Sequence, residues 1–226
     1  MSKRESSVSS NVVHFHIVTL FPGAFNSYLA QSIIGRSIKD KKITVSFYDP
    51  RDFTTDRHRR IDRRPYGGGP GMVVEALPVA RAVEKAVGKK RRVKIIFFST
   101  AGRNFSGSYA KKVASDFKHV VLIAGHYEGI DIRIKKMVRA DEVSVGPYIL
   151  TGGELPALII LDAVARYVPA VLGNKQSLEE DRFASPSVYT RPEVILYKGR
   201  RYCVPKVLLS GHHRNIEKWK KKKQGS

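Results

Sequence analysis

Three glycine-rich stretches are the part of this sequence best suited to chemistry. They are Ser99-Thr100-Ala101-Gly102, Gly125-His126-Tyr127-Glu128-Gly129-Ile130-Asp131 and Ser144-Val145-Gly146-Pro147-Tyr148-Ile149-Leu150-Thr151-Gly152-Gly153-Glu154-Leu155-Pro156. Each follows a run that reads as a strand. Glycine lets the backbone approach a ligand closely, so main-chain N–H and C=O groups can read a flat molecule. Any one of these loops alone is more often a turn. Three on successive strands, two of them with a tyrosine and an acid embedded, imply a site, because open α/β sheets bind ligands where such loops converge at the strands' carboxyl ends.

Other chemistries are excluded by what the sequence lacks. No G-x-x-x-x-G-K-[ST] occurs; the nearest string, running from Gly102 to Gly107-Ser108, has no lysine to neutralise phosphate. No G-x-G-x-x-G follows a strand, so a dinucleotide fold is unsupported. The seven histidines show no metal-ligand spacing, and His14 and His16, alternating on one strand, read as structural. The lone cysteine, Cys203, excludes an internal disulfide framework and reads as a small buried residue.

Charge points to the partner. Lys plus Arg number 41 and Asp plus Glu 20, giving +21. That excess suits a polyanion. Residues 182–226 hold 12 of the cations against two acids, Glu193 and Glu217, and further basic clusters lie at 57–64 and 89–94. Nucleic acid is favoured over an anionic membrane, because no basic segment is paired with a long amphipathic face. No apolar run of ~18 residues is present to span a bilayer. The opening residues lack the apolar stretch of a secretory signal, so the expected location is cytoplasmic.

The elements that position these loops alternate. Strands are predicted at 13–20, 43–48, 93–99, 120–124 and 142–145. Helices are predicted from Phe21-Pro22-Gly23 onward, with Phe25, Leu29 and Ile33 on one face, and at 77–87, 106–114, 130–138 and 155–167. The last is apolar almost all round and expected to be buried. Residues 51–72 have no periodicity and read as a long loop. This order implies an α/β fold, a mostly parallel sheet with helices on both faces. The expected divisions are a disordered tail at 1–11, a core domain at 12–172, a linker at 173–182, and a short basic domain at 183–226 with a helix at 215–223.

Six strings occurring in order make the sequence recognisable: Arg51-Asp52-Phe53-Thr54, Pro65-Tyr66-Gly67-Gly68-Gly69-Pro70-Gly71-Met72, Tyr127-Glu128-Gly129-Ile130-Asp131, Thr151-Gly152-Gly153-Glu154-Leu155-Pro156-Ala157, Tyr189-Thr190-Arg191-Pro192-Glu193 and Val207-Leu208-Leu209-Ser210-Gly211. Together they closely resemble the bacterial tRNA (guanine-N1)-methyltransferases of the SPOUT class, over residues 13–219. The resemblance implies a trefoil-knotted methyltransferase domain followed by a small, mainly helical tRNA-binding domain. It implies a homodimer with shared active sites and S-adenosylmethionine (AdoMet) as cofactor. The substrate would be tRNA, methylated at N1 of the guanine 3′ of the anticodon. The family expectation also includes a helper Mg2+, for which the sequence identifies no site.

Carried over by position, the cofactor pocket falls on Phe97, Phe98 and Ser99, on Gly125, Tyr127 and Glu128, and on Ser144, Val145, Gly146, Pro147, Tyr148, Ile149, Leu150, Gly152 and Gly153. The catalytic aspartate falls on Asp181 and the guanine-contacting arginine on Arg166. Residue chemistry agrees with both roles. Guanine N1 is a poor nucleophile until its proton leaves, so a carboxylate can serve as base. The charge then developing on O6 suits a guanidinium. Without the resemblance, Asp181 would read as a solvated linker acid and Arg166 as a helix-end charge. The chain departs from the family at His126, where arginine is usual, at Pro147 and Arg63, where acids are usual, and in its shortened C-terminal domain. Two rivals remain: a SPOUT enzyme acting on ribosomal RNA, and a non-catalytic RNA-binding factor of the same fold.

Overall fold

The structure, a computed structural model, describes residues 12–172 and 188–222. The backbone divides into two compact units between Leu172 and Gly173. The first runs β1 (Val13–Val18), a 3-10 turn at Pro22–Phe25, α1 (Asn26–Leu29), α2 (Ser32–Lys39), β2 (Ile43–Tyr48) and a second 3-10 turn at Pro50–Asp52. It continues with β3 (Asp62–Arg63), β4 (Val73–Val74), α3 (Ala76–Val87), β5 (Val93–Asn104), α4 (Gly107–Asp116), β6 (His119–Ile123), α5 (Arg133–Met137), β7 (Asp141–Ser144) and α6 (Glu154–Ala165). Five strands form one sheet in the order β2-β1-β6-β5-β7, with every pairing parallel.

Both faces of the sheet are covered, which is why its central strand β6, His119–Ile123, is apolar almost throughout. Phe15, Ile17, Val120 and Leu122 pack with Ala110 and Val113 of α4 and with Ile160, Leu161 and Val164 of α6. Val18, Val121 and Ile123 pack with Val79 and Val83 of α3 and Ile134 of α5. The chain leaving edge strand β7 doubles back past β5, so that Gly153 donates its N–H to the Gly125 carbonyl at 2.7 Å, beyond the end of β6. A knotted chain requires such a crossing.

The structure corrects several details of the sequence reading. The helix expected after Phe21 is broken at Ala30 and Gln31; Phe25 and Ile34 are buried, but Ile33 is exposed. Gly35 accounts for the close packing of the two pieces, since a Cβ there would lie 2.6 Å from the Ala30 carbonyl. The long loop is pinned by β3 pairing antiparallel with β4. Helix α6 is not wholly buried in the single chain: Leu155 and Ile159 are exposed. His14 and His16 take structural roles, His14 bonding Thr44 and His16 bonding Tyr48 and His119.

The second unit contains β8 (Val194–Tyr197), β9 (Arg200–Cys203), α7 (Lys206–Leu209) and α8 (His213–Lys222). The hairpin was not foreseen. Its turn residues Lys198 and Gly199 both have positive φ, the conformation that matches the twist of paired strands. Trp219 of α8 sits 6.3 Å from the Tyr189 ring. Cys203, expected to be buried, is exposed on β9, because among the described residues neither face of the hairpin is covered. No helix among the described residues is long and apolar enough to cross a membrane.

Candidate functional site

The three glycine-rich loops meet at the carboxyl ends of β5, β6 and β7. At the first, β5 shifts register against β7 between Phe98 and Arg103, so residues 99–102 bulge outward. Ser99 braces the bulge by accepting from the Ala101 N–H at 3.1 Å. Gly102 is required where the strand rejoins β7: a Cβ there would lie 2.6 Å from the Val143 nitrogen.

The second loop carries backbone strain. Tyr127, a bulky residue, has φ of 59°, a conformation that persists only when its surroundings over-determine it. The surroundings are visible. Glu128 N–H donates to Met72 C=O at 3.1 Å, Asp131 N–H to Val74 C=O at 2.9 Å, and Val74 N–H to Gly129 C=O at 3.0 Å. The β3–β4 segment is thus laced to this loop, which gives the long glycine-rich stretch before Met72 its place. Beside the loop, Arg133 forks onto Asp131 and holds that carboxyl below its usual range.

The third loop is self-braced. Buried Ser144 donates to Gly146 C=O at 3.0 Å and accepts from Gly146 N–H at 3.2 Å, while Tyr148 OH donates to Val145 C=O at 3.1 Å. Gly153 admits no side chain, since a Cβ would meet Ala124 Cα at 2.6 Å and Gly125 N at 2.7 Å. Its glycine therefore serves the close approach of the chain to itself rather than to a ligand.

Between the loops lies a cleft of about 430 Å³. Every residue the resemblance assigned to the cofactor lines it except Pro147, which is exposed on the third loop. Thr100, His126, Gly129, Ile130, Ile132, Val143, Thr151 and Pro156 line it too and were not assigned. His126 and Thr151 sit between assigned residues and Thr100, Gly129 and Val143 directly beside them, so contiguity is the available signal.

His126 is chemically distinctive. Among the described residues its buried Nδ1 has no hydrogen-bond partner. It faces Glu154 Oε2 at 3.9 Å, too far for a hydrogen bond. Glu154 Oε1 accepts instead from Thr19 Oγ1 at 3.0 Å.

Of the two assigned catalytic residues, only Arg166 is among those described. Asp181 falls outside the described residues. Arg166 is the half-buried C-cap of α6. A helix rises ~1.5 Å per residue, so Arg166 stands about 20 Å from Gly153, and it does not line the cleft of its own chain.

Comparison with known proteins settles what this arrangement belongs to. The family model described as tRNA (Guanine-1)-methyltransferase TrmD matches residues 13–226. The chain belongs to the tRNA (guanine-N1)-methyltransferase family. It is 45% identical over 213 residues to the tRNA (guanine-N(1)-)-methyltransferase of Pseudoalteromonas atlantica, covering 92% of this chain and 78% of that one. It is 44% identical to that of Lachnospira eligens, covering 92% and 89% respectively. A crystal structure of the tRNA (m1G37) methyltransferase of Aquifex aeolicus superposes with a TM-score of 0.75 at 34% identity, covering 94% of this chain and 89% of that one. The chain is thus a methyltransferase that modifies tRNA on a SPOUT fold, and membership of the family implies AdoMet as cofactor.

Proposed function

We propose that this chain transfers the methyl group of AdoMet to N1 of the guanine 3′ of the anticodon in tRNA, working as a dimer in the cytoplasm. The observation that carries the reading is the convergence of the three glycine-rich loops on one cleft. The cleft fits the cofactor by size and by chemistry. Binding sites for small molecules run from ~300 to ~1,000 Å³, and this one offers apolar walls at Phe97, Ile130 and Leu150 with loop backbone between them. AdoMet, when bound, supplies an already activated methyl group.

The protein's tasks are positioning and proton management. Asp181 takes the proton from guanine N1, turning a poor nucleophile into a good one. Arg166 stabilises the negative charge that gathers on O6 as that proton leaves. Because Arg166 stands a helix length from the cleft of its own chain, this assignment needs the arginine of a second copy. Helix α6 supports such pairing: Leu155 and Ile159 are exposed, and Leu155 and Leu158 join Phe21 and Pro22 around a groove of about 700 Å³. A second copy of this mostly apolar groove would hide it from water.

A methylation assay on a tRNA transcript, with the product nucleoside identified by mass spectrometry, tests the reading. N1-methylguanine should appear, and replacing the guanine 3′ of the anticodon with adenine should abolish it. Methyl transfer to another base or position, or none with intact AdoMet binding, would overturn it.

A further inference from the structure

We propose that the β8–β9 hairpin is a stacking platform for unpaired bases of the RNA, with Tyr197 and Tyr202 receiving bases, Arg200 holding a phosphate on the same face and Arg201 a phosphate at the reverse face. The proposal rests on RNA being the substrate and assigns a place where it is gripped. In the hairpin register Ile195 lies opposite Tyr202 and Tyr197 opposite Arg200. Opposed side chains share a face, so these four stand together, with the tyrosines as diagonal neighbours ~7–8 Å apart. Ile195 is 50% exposed, Tyr197 59% and Tyr202 53%. On the other face Leu196 is 72% exposed, and Arg201 and Cys203 are exposed as well.

Among the described residues neither face of the hairpin is covered, and a two-stranded hairpin left so is marginal in water. Its composition shows what should cover it. From residue 194 to residue 216 there are five lysines and arginines and no acid. A second copy would bring like charges together, which opposes pairing. Unpaired RNA offers what this hairpin accepts: flat bases for the rings, a phosphate for Arg200 beside them and another for Arg201 at the reverse face. Strand faces carrying aromatic residues hold bases in this way, and stacking tolerates any base. Lys198 Nζ already lies 5.4 Å from the Tyr197 centroid, so one cation sits with the ring at the tip.

The test uses the full chain, the substrate tRNA and a fluorescent anticodon stem-loop. The double variant Tyr197→Ala, Tyr202→Ala should lose affinity by about 5- to 100-fold per base no longer stacked. The KM for tRNA should rise with kcat unchanged. The slope of log affinity against log salt should stay as in the parent. Tyr197→Phe with Tyr202→Phe keeps the rings and should restore binding. Arg200→Gln with Arg201→Gln should instead flatten the slope by ~0.7 for each single-strand phosphate no longer neutralised. Parental affinity and KM in the alanine pair would overturn the proposal, as would self-association lost while RNA affinity held. If the parent chain methylates no tRNA but the alanine pair still loses RNA affinity, the methylation reading fails and the platform stands.

Discussion

Around the cleft the protein braces itself: Gly153 donates to Gly125, Ser144 holds Gly146, and Met72 and Val74 are laced to the Tyr127 loop. In the C-terminal hairpin the residues from Ile195 to Cys203 are all exposed, and neither face is covered among the described residues. The two regions accordingly suit different ligands. A small molecule of fixed shape can be read by a backbone that cannot move, and rigidity there lowers the cost of binding. A long flexible polyanion is better met by exposed rings and charges that adapt to it. On the proposed assignment the proton-handling residues Asp181 and Arg166 belong to neither region, and this gives the strongest tests of the contrast.

The largest effect is expected at Asp181. Asp181→Asn should lower turnover by ~10²–10⁴, the usual cost of losing a general base, while the affinities for AdoMet and tRNA stay put. Near-normal turnover would remove the assignment. Mixing it with Gly125→Leu sharpens the point. A Cβ at Gly125 meets only the Ile130 side chain, at 3.3 Å, so a leucine there should fill the cleft and spare the fold. Two inactive variants that restore activity on subunit exchange show that one copy completes the other's site. Arg166→Ala comes next, with a loss of ~10²–10³ in kcat if the guanidinium stabilises developing charge. A rise confined to the KM for tRNA would make it a binding residue only.

Smaller changes probe the packing of each region. Gly153→Val must displace the backbone at Ala124 and Gly125, so it should cost ~1–3 kcal/mol of stability along with AdoMet binding. Denaturant melts and calorimetry would measure both, and unchanged melts would show that the loop gives way freely. The first unit also holds proton-linked stability. Burial and neighbouring positive charge lower the values of His14, His16 and His119 from 6.5, that of His16 to about 4. The unfolded chain therefore binds more protons below 6.5, and stability, complete above that pH, declines as pH falls toward 4. The loss should reach roughly 1–2 kcal/mol after allowing for screening of the partly exposed rings. A flat urea midpoint between about pH 7 and about pH 5 would contradict this. The least change is expected from neutralising the lysines at 220–223. The salt slope of tRNA binding should flatten by ~0.7 to ~0.9 for each phosphate that a lysine had neutralised, with AdoMet affinity untouched.

The parallel sheet was legible because β1, β5 and β6 are apolar enough to be buried on both sides, and the cleft because glycines mark the ends of its strands. What escaped reading has local causes. The break at Ala30 depends on Gly35 packing onto the preceding turn, an approach no periodicity encodes. The exposed stripe of α6 is invisible in a helix apolar all round. The hairpin escaped because Lys198-Gly199 is a weak turn signal and its strands bury no face to impose alternation. Asp181 carries no local mark of the role proposed for it, and only the family resemblance singles it out.

The doubling-back of the chain after β7 has a consequence in time. Synthesis runs from the amino end, so β1, β2, β5 and β6 are made before Gly153 exists to reach Gly125. A chain halted short of that glycine can assemble much of the sheet and still offer no closed place for the methyl donor. Ligands stabilise only the states that bind them. On the proposed placement of the donor in the cleft, its binding would protect the finished chain and not an unfinished one, so that cofactor capture would mark completion.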